Sequence, residues 1–350
     1  MEWDQETILR DPRFVLLGRR NEQEDPLRFF WPGSGVAVTL QAQEMSAIVE
    51  ADWGGHSPWM SVLMDGVPVS RFPLRRGIHE YALLTGMEGA DAHRISLIRD
   101  TQPMEDDERL TVRLCGLKAD AEPEESPDRL RIEFVGDSLT SGEGLAGPVG
   151  ASEWKTVWMS AAYGYAAQVC ALLGADGEWV SQSGWGVVTD WNQDRQHVLP
   201  SIYGQVCALQ SAGRRAYDFA AHPVDAVVVN LGTNDMTALS ALVEPERTER
   251  AAEFLKAVGN FCRQLRALRP GTPVLWVCGM CGNGLNGLLE CAVRAAAETI
   301  SDSHMVFMAL PSCKQDELGS LGHPGYLSHR RCAELIAKRL KQLIEMRRPM

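Results

Sequence analysis

Four short segments carry side chains suited to chemistry, and each stands where an apolar run gives way to glycine and polar residues. Ser138 lies in Gly136-Asp137-Ser138-Leu139, directly after Arg131-Ile-Glu-Phe-Val135. A serine held in a tight strand-to-helix turn exposes its hydroxyl beside the backbone N–H groups that open the next helix. Taken alone, the same residue would be an ordinary helix N-cap. Asn234 and Asp235 close Gly232-Thr233-Asn234-Asp235 after the run Asp225–Leu231, and Gly184 and Trp185 follow Trp179–Ser181. The Gly184 N–H, the Asn234 amide and the Ser138 N–H are donors of the kind a developing oxyanion requires. His323, in Gly322-His323-Pro324, precedes the last helical segment, where an imidazole would serve as the base for a serine. The set suits acyl transfer through a serine. Two other patterns fail: G-x-S-x-G is broken by Thr140, and Gly142-Glu-Gly-Leu-Ala-Gly147 begins several residues beyond its strand, which argues against a dinucleotide site.

These residues need a scaffold that brings strand ends together. From Lys118 onward, apolar strand candidates (Arg131–Val135, Trp179–Ser181, Asp225–Leu231, Pro273–Val277, Met305–Leu310) alternate with amphipathic helices. The clearest helix repeats Phe254, Val258, Phe261, Leu265 and Leu268 on one face and stops at Pro270-Gly271. Alternating β and α predicts a mostly parallel sheet with helices on both faces and a site at the C-terminal strand ends. Before Lys118 the pattern differs. Short alternating runs such as Gly35–Leu40, Ser46–Glu50, Trp59–Met64 and His93–Ile98, with Asp65-Gly66 suited to a tight hairpin, predict an antiparallel sandwich or jelly roll. The expected division is residues 1–117 as the β-sandwich, 118–129 as an acidic, proline-containing linker, and 130–350 as the α/β domain.

The 350 residues include 45% hydrophobic and 23% charged side chains, so neither a disordered chain nor a fibrous repeat fits. Lys and Arg number 34 against 46 acidic residues, a net charge of −12 without a basic run, which speaks against nucleic acid and anionic membranes as partners. The acidic start Met1-Glu2-Trp3-Asp4 does not resemble an export signal, and the nine scattered cysteines suit a reducing compartment, so a cytoplasmic location is expected. Cys278 and Cys281 form one C-x-x-C pair, read as structural because no second pair accompanies it.

The four blocks, in this order, resemble those of the SGNH (GDSL) hydrolase superfamily. Within it the whole chain is most similar to carbohydrate esterase family 2, through Gly33–Thr39, the Val62–Val67 hairpin, His93–Thr101 and Ala161–Ala166 as well. The resemblance implies a flavodoxin-like α/β domain behind a β-sandwich, with Ser138 as nucleophile, His323 as general base, and Ser138, Gly184 and Asn234 as the oxyanion hole. It implies removal of acetyl groups from small carbohydrate substrates without metal or organic cofactor. Asp137, Trp185 and Asp235 are expected to contact substrate, and Trp154 and Trp158 to stand in the cleft. One position departs from the superfamily: Ser320 stands three residues before His323, where most members carry Asp. Asp316 and Glu317 lie further upstream; either a main-chain carbonyl near Ser320 orients the imidazole or Glu317 reaches back to it, and the carbonyl is preferred because a dyad needs only the correct tautomer and orientation from its third member. Two other functions share parts of this pattern. A lysophospholipase or thioesterase would need an apolar acyl tunnel, and a sugar-binding protein with a degenerate hydrolase domain would lack esterase activity.

Overall fold

The computed structural model describes residues 1–89, 91–282 and 286–347, so the last three residues of the 130–350 segment lie outside it. The N-terminal half is an antiparallel sandwich. One sheet runs in the order β1 (Glu2–Asp4), β9 (Thr111–Ala119), β4 (Met45–Asp52), β7 (Gly77–Leu84). The other contains β2 (Val15–Leu17), β3 (Gly35–Leu40), β5 (Trp59–Met64), β6 (Val67–Pro73), β8 (His93–Arg99) and β10 (Pro123–Glu124), with β2 and β10 both paired to β3. β4 shows why it forms: Met45, Ala47, Val49 and Ala51 point into the core while the residues between them are partly exposed. The hairpin between β5 and β6 turns on Asp65 and Gly66, both at positive φ (51° and 83°), the conformation a two-residue turn between twisted strands demands.

Residues 118–129 do not run free between the halves. Lys118 and Ala119 finish β9, and Pro123–Glu124 pairs with Thr39 and Leu40. A proline is tolerated there because β10 is a sheet edge.

The C-terminal half holds a parallel sheet in the order β12 (Ala175–Ser181), β11 (Leu130–Gly136), β13 (Ala226–Asn230), β14 (Val274–Cys278), β15 (Met305–Ala309). In order of appearance this is 2-1-3-4-5, the flavodoxin-like winding, whose direction reverses between its first and third strands. Gly136 aligns with Ser181 on one side and Asn230 on the other, so three strands end on one line at that reversal. Helices Tyr165–Leu173 and Tyr326–Arg347 pack together over one face, and Glu246–Leu268 and Asn286–Thr299 over the other. No helix among the described residues is long and apolar enough to cross a membrane.

A buried ionic cluster joins the two halves. Arg19 of the sandwich, fully buried, reaches Glu133 of β11 at 2.5 Å and Glu178 of β12 at 3.2 Å, and Arg269 reaches the same two carboxylates at 2.9 and 3.4 Å. Tyr203 and Tyr217 each donate a hydroxyl to one of them. Burial opposes the charge on Glu133, but Arg19 and Arg269 hold its carboxyl below the ordinary range.

Candidate active site

Ser138 opens a single helical turn, Ser138–Ser141, capped by the Asp137 carboxylate, which accepts from the Leu139 N–H at 3.0 Å. Ser138 Oγ lies 2.9 Å from His323 Nε2. The other ring nitrogen, Nδ1, lies 3.3 Å from the Leu321 carbonyl oxygen. A proton on Nδ1 donated to that carbonyl leaves Nε2 as the acceptor for the serine hydroxyl. Leu321 sits in the left-handed region (φ 58°, ψ 19°) and is held there by its N–H bond to the Ala151 carbonyl at 2.8 Å. The histidine loop rests on Gly144. A Cβ there would lie 2.9 Å from His323 Cβ and 2.5 Å from the Ser320 carbonyl oxygen, so only glycine lets the two loops approach.

Glu317 takes no part in holding the imidazole. Its carboxylate is bound by Arg331 at 2.7 Å and Ser328 at 2.9 Å, and the Arg331 guanidinium pulls its pKa down to about 2. Glu317→Ala, with Arg331 left behind at the surface, is therefore expected to keep kcat within a few-fold of the parent. A fall of about 10³–10⁴ in a folded variant, measured on p-nitrophenyl acetate, would show a carboxylate acting behind His323.

Gly184, at φ 82°, lines the cleft with Asn234, and among the described residues neither the Gly184 N–H nor the Ser138 N–H has a partner. Asn234 Nδ2 donates to the Trp185 carbonyl at 2.9 Å, leaving its second hydrogen only a long 3.4 Å contact to Asp137. These are donors without a strong acceptor, gathered around one serine.

Three expected substrate contacts lie behind the cleft rather than in it. Asp235 is buried and clamps the loop after β12, accepting from the Val187, Val188 and Thr189 N–H groups at 2.8–3.2 Å. Asp137 is buried under the nucleophile turn, and Trp185 is turned inward to stack on His197 at 5.2 Å. Trp158 is half-buried beneath Lys155 and does not line the cleft, whereas Trp154, 37% exposed, does. Trp191 and Glu143 are among the residues not anticipated that also line it. Trp191, 59% exposed, stands beside Gly184, and the Glu143 carboxylate lies 4.0 Å from His323 Nε2. An aromatic in so polar a stretch as Thr189-Asp-Trp-Asn-Gln-Asp194 was the available signal for the first, since its neighbours supply no core to bury it.

Burial raises Asp137 to about 7, with the Asp235 and Glu143 charges adding to it against the Leu139 N–H, and raises Asp235 to about 6 against its three N–H bonds. An unfolded aspartate titrates near 4, so the folded state binds these protons more tightly and loses stability as pH rises from about 4 through 6–7. Asp137→Asn keeps the N-cap acceptor and removes the charge. Its urea midpoint should rise relative to that of the parent as pH increases from 5 to 8; a pH-independent difference would refute the assignment.

Residues 134–306 match the GDSL-like Lipase/Acylhydrolase family. The acetyl xylan esterase Est2A from the rumen bacterium Butyrivibrio proteoclasticus is 31% identical, superposes with a TM-score of 0.91, and the alignment covers 99% of each chain. The chain belongs to the GDSL (SGNH) hydrolases. It is a carboxylic ester hydrolase, and family two carbohydrate esterases are among its structural neighbours. A family two carbohydrate esterase from Clostridium thermocellum, solved with cellohexaose, shares the fold at 22% identity and a TM-score of 0.81, over 95% of this chain and 99% of that one. The Cellulase/esterase CelE of Acetivibrio thermocellus is 25% identical over 97% of this chain, which spans 40% of CelE's length. Ser138, Gly184 and Asn234 follow three strands that end on one line, and all three line the cleft.

Proposed function

We propose that the protein removes O-acetyl groups from short carbohydrates through a Ser138–His323 dyad. The observation that carries this is the 2.9 Å Oγ–Nε2 contact at the floor of an open cleft walled by the Trp154 and Trp191 side chains. His323 takes the hydroxyl proton as Ser138 attacks the acetyl carbonyl, and the Ser138 and Gly184 N–H groups and the Asn234 amide hold the oxyanion. The proton then passes from His323 to the departing sugar oxygen. Water, deprotonated by the same imidazole, hydrolyses the acetyl-enzyme. The Leu321 carbonyl supports the charged ring in place of a carboxylate.

Indole faces suit the C–H faces of a sugar ring, and the Glu143 carboxylate beside the reacting bond suits a neighbouring sugar hydroxyl as donor. A lipid acyl chain would be poorly served by a lining that includes Ser152, Ser183, Glu143 and Asn234. That Est2A is an acetyl xylan esterase supports the same reading. Nine cysteines scattered along the sequence fit a reducing, cytoplasmic setting, which favours oligosaccharides rather than polymer as substrate. Acetate release from acetylated xylo-, manno- and cello-oligosaccharides, set against long-chain p-nitrophenyl esters, tests the proposal. Higher kcat/KM on an acetylated sugar is expected; preference for the long-chain ester would reject it.

A further inference from the structure

One loop of the sandwich reaches the segment that carries Gly184. Directly after β8, residues 99–105 lie against the loop that carries Gly184. The side-chain oxygen of Gln102, a residue only 2% exposed, accepts hydrogen bonds from the Ser183 N–H at 2.9 Å and the Ser183 hydroxyl at 3.1 Å. Gln102 is itself fixed. Its carbonyl accepts from the guanidinium of the fully buried Arg99 at 2.9 Å, and Arg99 also holds the Thr101 carbonyl at 2.8 Å. Three residues on, Glu105 lies 3.1 Å from His197, the ring stacked on Trp185, whose carbonyl holds the Asn234 amide. Both oxyanion donors that lie outside the nucleophile turn are thus braced from the same stretch of the sandwich.

We propose that Gln102 is a positioning residue for the oxyanion hole. By accepting from Ser183 it sets the orientation of the next peptide, and so the aim of the Gly184 N–H. The inference rests on the reading of Gly184 as an oxyanion donor. Donors of this kind act only when they are already aimed at the charge that develops, so the effect should fall on kcat and leave ground-state binding alone. Without the amide oxygen, the Ser183 N–H has no acceptor, and the peptide is free to turn and find one.

The test uses the full chain and p-nitrophenyl acetate, with the folded fraction of each variant measured by near-ultraviolet circular dichroism. Gln102→Leu removes the acceptor at similar volume, and Gln102→Glu retains an acceptor oxygen at the same reach. The leucine variant should lose roughly 10–100-fold in kcat with KM within about threefold, and the glutamate variant should recover to within about fivefold of the parent. Gln102→Asn, which withdraws the amide by one methylene, replaces the leucine variant if that one does not fold, with the same loss expected. A folded leucine or asparagine variant with kcat within threefold of the parent overturns the proposal, as do equal losses in the leucine and glutamate variants that follow their melting temperatures. If Asn234→Ala and Ser138→Ala are fully active, the reading beneath it fails instead.

Discussion

Ser138→Ala is expected to abolish hydrolysis of p-nitrophenyl acetate, by about 10⁴-fold or more in kcat, while the protein stays folded. Ser138 Oγ is the hydroxyl that meets an imidazole in the cleft, and its removal leaves the oxyanion donors with no covalent intermediate to stabilise. His323→Ala should cost about as much, because the serine cannot surrender its proton without Nε2. The double variant should be little worse than either single one, since the two act as a unit. A folded Ser138→Ala protein that retains more than about a tenth of the parent rate would overturn the assignment of the nucleophile.

The second large effect falls on Asn234. Replacing it by alanine should lower kcat by roughly 10²–10³ with little change in KM, because its second hydrogen, held only by the long contact to Asp137, is asked to meet charge that exists only in the transition state. The amide also ties the helix Thr233–Ser240 to the Trp185 carbonyl, so a modest loss of thermal stability should accompany the kinetic one. If KM rises while kcat holds, Asn234 positions substrate and the oxyanion is held by the two backbone N–H groups.

How much of this was open to inspection in the sequence depends on what each residue answers to. β13 and β14 are buried along their whole length and read as continuous apolar runs. The first half of β12, Ala175-Asp-Gly-Glu178, did not read as strand, because Asp176 and Glu178 are matched by Arg94, Arg129 and Arg19 from distant parts of the chain. β7 is a weak strand signal in the sequence for a related reason: its outward face, Ile78, Glu80 and Ala82, is exposed, and only Leu83 and Leu84 are buried. In the site, Ser138, Gly184, Asn234 and His323 were visible because tight turns at strand ends demand glycine and short polar side chains. Trp185 and Trp191 flank the same bend and point opposite ways, one onto His197 and one to solvent, and no periodicity in an irregular loop distinguishes them. Gln102 meets Ser183 across 81 positions, and that pairing belongs to the packing of two halves rather than to any local pattern.

The Arg19 cluster bears on how such an enzyme can evolve. Separated from the sandwich, Glu133 would keep its place in the sheet and lose one of its two guanidinium partners, and a buried charge stripped of a partner costs about 3–5 kcal/mol. That is a large part of the stability of an ordinary domain. A sandwich wired in this way cannot be traded between enzymes like a cassette on a flexible tether. The two halves are therefore expected to unfold together, in one transition.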